Sequence, residues 1–177
     1  VLLELLCGAT TQKAIAEKLG ISLSTVNNAI GPLARMGAIK KRNFGLGVVD
    51  REKVLTYWAG KRNPEKDTIY STRCELGVVE IEKLMPSEAV FTAYTAFRLR
   101  HGEAPADYSE VYVYADETGL AELKKRFPPK EGPPNMIALK KEMRLEGNIA
   151  PDELVFVDLW NLKEWYAKEF HKSIGAR

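Results

Sequence analysis

Two short amphipathic patterns meet at Gly20-Ile21-Ser22, and this junction limits the fold more tightly than anything else in the chain. The first pattern runs to Leu19 and puts Ala14, Ile15 and Leu19 on one side at helical spacing. The second begins at Ser22, carries Val26, Ala29, Ile30 and Leu33 on one face, and stops at Gly37. Thr10 or Thr11 is the expected cap of the first helix and Ser22 of the second, each offering a hydroxyl to the unpaired N–H groups of a helix start. Gly20 supplies the positive φ of a tight turn, and Ile21 and Val26 fill the space beneath it. Ala16 is small where the two helices cross. Gly31-Pro32 falls inside the second pattern, which predicts a kink or break there, because proline lacks the N–H that the helix needs. Upstream, Val1–Leu6 reads as the end of an earlier helix closed by Gly8.

Past the second helix the chain is extended. Ala38–Asn43 alternates and is basic, Phe44-Gly45-Leu46-Gly47 reads as a glycine-rich tip, and Val48-Val49 returns as the second strand of a hairpin. Asp50 is placed to cap a short helix with Val54, Leu55 and Trp58 on one side. Gly60–Asp67 is polar with Gly and Pro and reads as a linker, giving two domains, 1–62 and 68–177. Net charge divides along the same line. Residues 1–62 hold ten Lys/Arg against four Asp/Glu, a net of +6 in a chain of net +2, so the remainder carries −4. That asymmetry directs the first domain toward a polyanion.

The segment Thr11-Gln-Lys-Ala-Ile-Ala-Glu-Lys-Leu-Gly-Ile-Ser-Leu-Ser-Thr-Val26 resembles the helix-turn-helix of winged-helix regulators, close to the MarR type. The likeness continues through Leu33-Ala-Arg-Met-Gly-Ala-Ile-Lys-Lys41 into the hairpin and covers residues 1 to about 60. It implies a recognition helix led by Ser22 and set in the major groove of double-stranded DNA. Leu23, Ser24, Thr25, Asn27 and Asn28 then lie on or near the groove face, where Asn pairs bidentately with adenine and Ser or Thr bonds bases or phosphates. That face is uncharged. Lys40, Lys41 and Arg42 in the wing, with Lys13 and Arg35, supply the charge for phosphates or the minor groove, and Thr11 completes the candidate set. The resemblance also implies a homodimer on half-sites about one helical turn apart.

Beyond residue 67 the pattern is mixed α and β. Strands are expected at Thr68–Thr72, Val111–Tyr114, Met136–Leu139 and, from its nearly continuous apolar run, Leu154–Leu159. Helices are expected at Gly77–Leu84 and over Leu120, Leu123 and Phe127, and Val90–Arg100 is expected to start extended and turn helical. A last helix is expected from Asn161, with Glu164 completing a capping box and Leu162, Trp165, Tyr166 and Phe170 as its apolar face. Ala89-Val-Phe-Thr-Ala-Tyr-Thr-Ala96, Val111–Tyr114 and Phe156-Val-Asp-Leu159 resemble the C-terminal domain of AbiEi-type antitoxin regulators. In that family a winged helix precedes a nucleotidyltransferase-related domain, and the regulator represses its own operon and opposes a partner toxin. The whole chain is therefore expected to be α+β, a winged helix-turn-helix followed by a small mixed α/β domain with a nucleotidyltransferase-like sheet.

Nucleotidyl transfer needs a Gly-Gly-Ser-like turn and two carboxylates one residue apart on a strand to hold Mg²⁺. The turn position here reads Thr92-Ala93-Tyr94, and Tyr112 stands where a second carboxylate belongs. Asp158 is a relic at most, expected to pair with an arginine such as Arg98 or to cap the following turn. No enzyme activity, cofactor or metal is expected. Thr92, Tyr94, Thr95, Arg98, Tyr112 and Asp158 are the candidate pocket for a small effector or a partner toxin protein. Cys7 and Cys74 lack metal-ligand spacing, and His101 and His171 lack a second ligand at i+4. No run approaches the ~20 apolar residues of a membrane span, and Val1–Leu6 has no basic segment before it as a signal peptide would. A cytoplasmic transcription regulator is the leading expectation. Beside it stand a metal-dependent nucleotidyltransferase with a divergent site and a protein-interaction adaptor.

Overall fold

The computed structural model describes residues 1–8, 11–42, 45–141 and 145–175, with the backbone alone at Lys41. The described chain divides into two compact units, Val1–Lys61 and Arg62–Arg177.

The first unit opens with helix α1 (Leu2–Leu6), followed by α2 (Gln12–Leu19) and α3 (Leu23–Arg35). Thr11 caps α2 and Ser22 caps α3, and Gly20 sits between them at φ +66°, the left-handed turn that its missing side chain permits. Thr10, the other candidate cap, lies outside the described residues. Ile15, Val26 and Leu33 are fully enclosed and Ala16 is buried, so the core lies where the two apolar stripes face each other. Buried Glu4 of α1 is held by Lys18 of α2 at 2.6 Å. Helix α3 runs through Pro32 without a break. Proline removes a single N–H from a helix whose buried Ile30 and Leu33 hold it in place on either side.

Strands β1 (Ile39–Arg42) and β2 (Gly45–Val48) form the antiparallel hairpin, and Asp50 caps α4 (Arg51–Ala59), as expected. The hairpin differs in one respect. Gly45 and Gly47 belong to β2, paired with Arg42 and Lys40, and Asn43 and Phe44 lie outside the described residues. The glycines are strand residues facing cations rather than a tip.

The second unit begins inside the segment read as a linker. Asn63 caps a turn of helix, α5 (Pro64–Asp67), which leads into β3 (Thr68–Thr72). Helix α6 (Val78–Lys83), β4 (Val90–Thr92), α7 (Ala93–His101), β5 (Val111–Ala115), α8 (Glu117–Arg126) and β6 (Met136–Lys140) come next. The strands form one sheet in the order β3-β6-β5-β4, with β5 and β6 parallel and the outer pairs antiparallel. β5 and β6 are thus interior, which explains their apolar faces.

The expected strand at Leu154–Leu159 is instead helix α9 (Asp152–Asn161), buried continuously from Leu154 to Leu159 and packed on α7 and α10 (Ala167–Gly175). A fully enclosed helix and an interior strand write the same apolar run, and the helix-start signals at Pro151-Asp152-Glu153 decide it. Asn161 accordingly ends α9, its Nδ2 donating to the Val157 carbonyl, and the final helix starts six residues later than expected, at Ala167. Tyr166 and Phe170 enter the core, whereas Trp165 is 78% exposed and not part of the apolar face.

Candidate nucleic-acid interface

In the first unit the candidate interface consists of α3 and the hairpin. Ser22 Oγ accepts the Thr25 N–H at 3.1 Å and shares a second hydrogen bond with Thr25 Oγ1 at 2.9 Å, which fixes the start of α3. Thr11 Oγ1 likewise accepts the Ala14 N–H at 3.0 Å, so the Thr11 hydroxyl is held in a cap. With Val26, Ile30 and Leu33 turned inward, Ser24, Asn28 and Arg35 fall on the opposite side of the helix at one-, two- and three-turn spacing. Leu23, Thr25 and Asn27 flank that stripe, and all of these positions are exposed. Leu23 stands out as an apolar side chain 52% exposed at the first residue of α3. Among the described residues neither Asn27 nor Asn28 has a side-chain hydrogen-bond partner, so both amides are available.

The hairpin supplies charge. The register sets Lys40 across from Gly47 and Arg42 across from Gly45, so both exposed cations share a face with positions that have no side chain. Arg42 lies across Gly47 so closely that a methyl group there would collide with its guanidinium. The backbone pairing of Lys41 with Leu46 is clear, while its side chain lies outside the described residues. Lys13 is exposed and stands 3.8 Å from Glu17 Oε1, a loose surface pair that leaves its charge available. Asp50, whose carboxylate accepts the Lys53 N–H at 3.0 Å, is held below the usual carboxylate range by that bond. The structure therefore brings Ser24, Asn28 and Arg35 into one exposed stripe flanked by Leu23, Thr25 and Asn27, and sets Lys40 and Arg42 on one face of the hairpin. The glycine pairing was legible in the alternation Lys40, Arg42 and Gly45, Gly47, once read as two paired strands.

The candidate pocket of the second unit is arranged differently. Thr92, Tyr94 and Thr95 are fully buried and Asp158 is 1% exposed. Asp158 accepts from Thr92 Oγ1 and Tyr114 OH, each at 2.6 Å, and from Arg62 Nε at 3.2 Å. Arg62 also donates to Tyr114 OH at 2.7 Å and pairs with Asp67. Burial pushes the Asp158 carboxyl up, against the opposing pull of Arg62 and the two hydroxyls. The partner of Asp158 is thus Arg62, not Arg98. Arg98 instead holds Glu82 at 2.5 Å, and Thr95 and Tyr108 donate to the same carboxylate at 2.8 and 3.0 Å.

Tyr94 and Tyr112 each donate to one oxygen of Glu164 at 2.9 Å, and burial raises both phenols well above the usual range, with Glu164 adding to the effect. Tyr166 donates to Glu110 and is pushed up to about 12, first by burial and then by that bond. Of the six candidate residues Tyr112 lines a cleft of about 320 Å³, whose walls include Ser71, Ile137, Leu162 and Glu164. Thr92, Tyr94, Thr95 and Asp158 are internal supports, and Arg98 is half-buried. Sequence reasoning missed Arg62, which lies 96 residues from Asp158 and carries no local signal of its partner.

Residues 3–40 match the family model of winged helix-turn-helix DNA-binding domains. No curated protein and no solved structure matches the chain. Among the described residues no helix is long and apolar enough to cross a membrane. The match to a DNA-binding winged helix-turn-helix falls in the first unit, where α2 and α3 are the two helices of the helix-turn-helix and β1–β2 is the hairpin that follows them.

Proposed function

We propose that the chain is a cytoplasmic transcription regulator that holds operator DNA with its first unit and takes a signal through its second. The observation that carries this reading is the exposed, uncharged Ser24–Asn28 stripe of a Ser22-capped helix in the same unit as a cationic hairpin. An adaptor for proteins has no need of that combination, whereas a duplex offers acceptor- and donor-rich base edges flanked by phosphates. Footprinting on the DNA upstream of the protein's own gene tests it. A discrete protected segment is expected, and uniform digestion with protein present contradicts it.

Within this reading the second unit is a non-catalytic relative of the nucleotidyltransferase-like domain of AbiEi antitoxins. Ala93 supports the kinship: it holds φ +49° at the strand-to-helix turn, where a nucleotidyltransferase carries glycine. The same site does not suit a divalent cation. Tyr112 replaces a carboxylate, and the oxygens of Asp158 are taken by a guanidinium and two hydroxyls. The cleft beside Tyr112 and Glu164 is the place for a small effector, and the partner toxin is the alternative source of signal. Incubation with labelled nucleoside triphosphates, Mg²⁺ and RNA is expected to give no transfer; transfer lost on Asp158→Asn contradicts the non-catalytic assignment.

A further inference from the structure

The first two turns of α3 carry a chemical selection that goes further than DNA binding. From Ser22 to Ala29 the helix reads Ser-Leu-Ser-Thr-Val-Asn-Asn-Ala, without an Arg, Lys, Asp or Glu. The N-terminal part of such a helix is the part that meets base edges. In the major groove guanine is read by Arg or Lys across O6 and N7, and cytosine by Asp or Glu at N4. Neither class is present in these turns. Adenine is read by Asn across N6 and N7, and the thymine methyl by an apolar group. Both are present and uncommitted: the Asn27 and Asn28 amides, and Leu23, half exposed at the helix start with the polar Ser22 and Ser24 on either side.

A second observation points the same way. Lys40 and Arg42 stand on a hairpin face whose opposite positions are Gly45 and Gly47, so the ribbon is thin where its cations are. Runs of A·T pairs narrow the minor groove and deepen its negative potential, which draws inserted Arg and Lys. A slim ribbon carrying Lys40 and Arg42 on one face fits that groove.

We infer that the operator half-site is built on A·T pairs, with Asn28 and Asn27 reading adenine and Leu23 seated on a thymine methyl. The inference rests on the DNA-binding role of the first unit and specifies what that unit selects.

The test is selection of bound duplexes from a randomised pool by the full chain, followed by base-analogue substitution in the selected site. Enrichment of A·T pairs at the centre of each half-site is expected. Replacing the contacted thymine by uracil, which removes only the methyl, weakens the wild type about fourfold and leaves Leu23→Ala unaffected. Asn28→Ala loses about 5- to 150-fold on the selected site while retaining its affinity for unrelated duplex. Thermal melting of both variants is expected to match the wild type, because both side chains are exposed. A selected site centred on G·C pairs, or no sequence preference, overturns the inference and leaves DNA binding standing. Failure to bind any duplex at low salt overturns the DNA-binding reading and the inference together.

Discussion

The two units treat their polar side chains in opposite ways. The first leaves Ser24, Asn27, Asn28, Lys40 and Arg42 exposed on an apolar core of modest size. The second turns its chemistry inward: Asp158, Glu82, Glu164 and Glu110 are each gripped by tyrosine hydroxyls, and Asp158 and Glu82 by arginine as well. Exposed polar groups cost little stability to hold and are available to a partner, whereas internal ones must be satisfied within the fold. Substitutions in the first unit should therefore change binding and spare stability, and substitutions in the inward clusters of the second should do the reverse.

The largest effect is expected at Asp158. Asp158→Ala leaves the Arg62 guanidinium without its enclosed partner and should destabilise the second unit by about 3–5 kcal/mol, read from urea unfolding followed by the near-ultraviolet signal of its buried tyrosines. A loss under about 1 kcal/mol would show that the cluster is dispensable and would erase the contrast. Next is the double charge reversal Lys40→Glu with Arg42→Glu. It should weaken duplex binding roughly a hundredfold, about 2.7 kcal/mol, while the melting temperature stays unchanged; a wing needed for folding would lower both.

Ser22→Ala is smaller and tests whether α3 depends on its cap. It removes the acceptor for the Thr25 N–H and should cost about 1 kcal/mol in the unfolding of the first unit, with Ser22→Asn restoring most of it. The smallest effect is a pH slope. His171 packs 4.2 Å from the Phe156 ring and 4.9 Å from Trp160, and burial lowers its pKa. Protonation then favours the unfolded chain, so stability should be full above the free imidazole value of about 6.5 and decline as pH falls below it. His171→Phe should flatten that decline in melting curves taken across the range.

Much of the first unit was legible because its signals are local. Thr11, Gly20, Ser22 and Asp50 do their capping or turning within three residues, and the apolar spacing of α2 and α3 names the core directly. In the second unit the strands at Thr68–Thr72, Val111–Ala115 and Met136–Lys140 were also readable, from composition and period. The features that escaped depend on distance or on enclosure. Arg62 finds Asp158, Tyr114 and Thr92 in one cluster through the fold of the sheet, with nothing in residues 60–64 to announce it. Helix α9 is buried on every side through Leu154–Leu159, so its sequence lost the periodicity that marks a surface helix. A helix starting at Asn161 puts Trp165 on its apolar face, yet the late start of α10 leaves it exposed.

The most direct test of the central claim is the salt dependence of duplex binding by the full chain, measured by fluorescence anisotropy. If Lys13, Arg35, Lys40 and Arg42 face phosphates, log affinity should fall against log salt with a slope of about −4 per chain, and the Lys40→Glu, Arg42→Glu variant should be shallower by about 2. A slope near zero, or one that the variant leaves unchanged, contradicts the assignment of the helix and hairpin as the DNA-binding face.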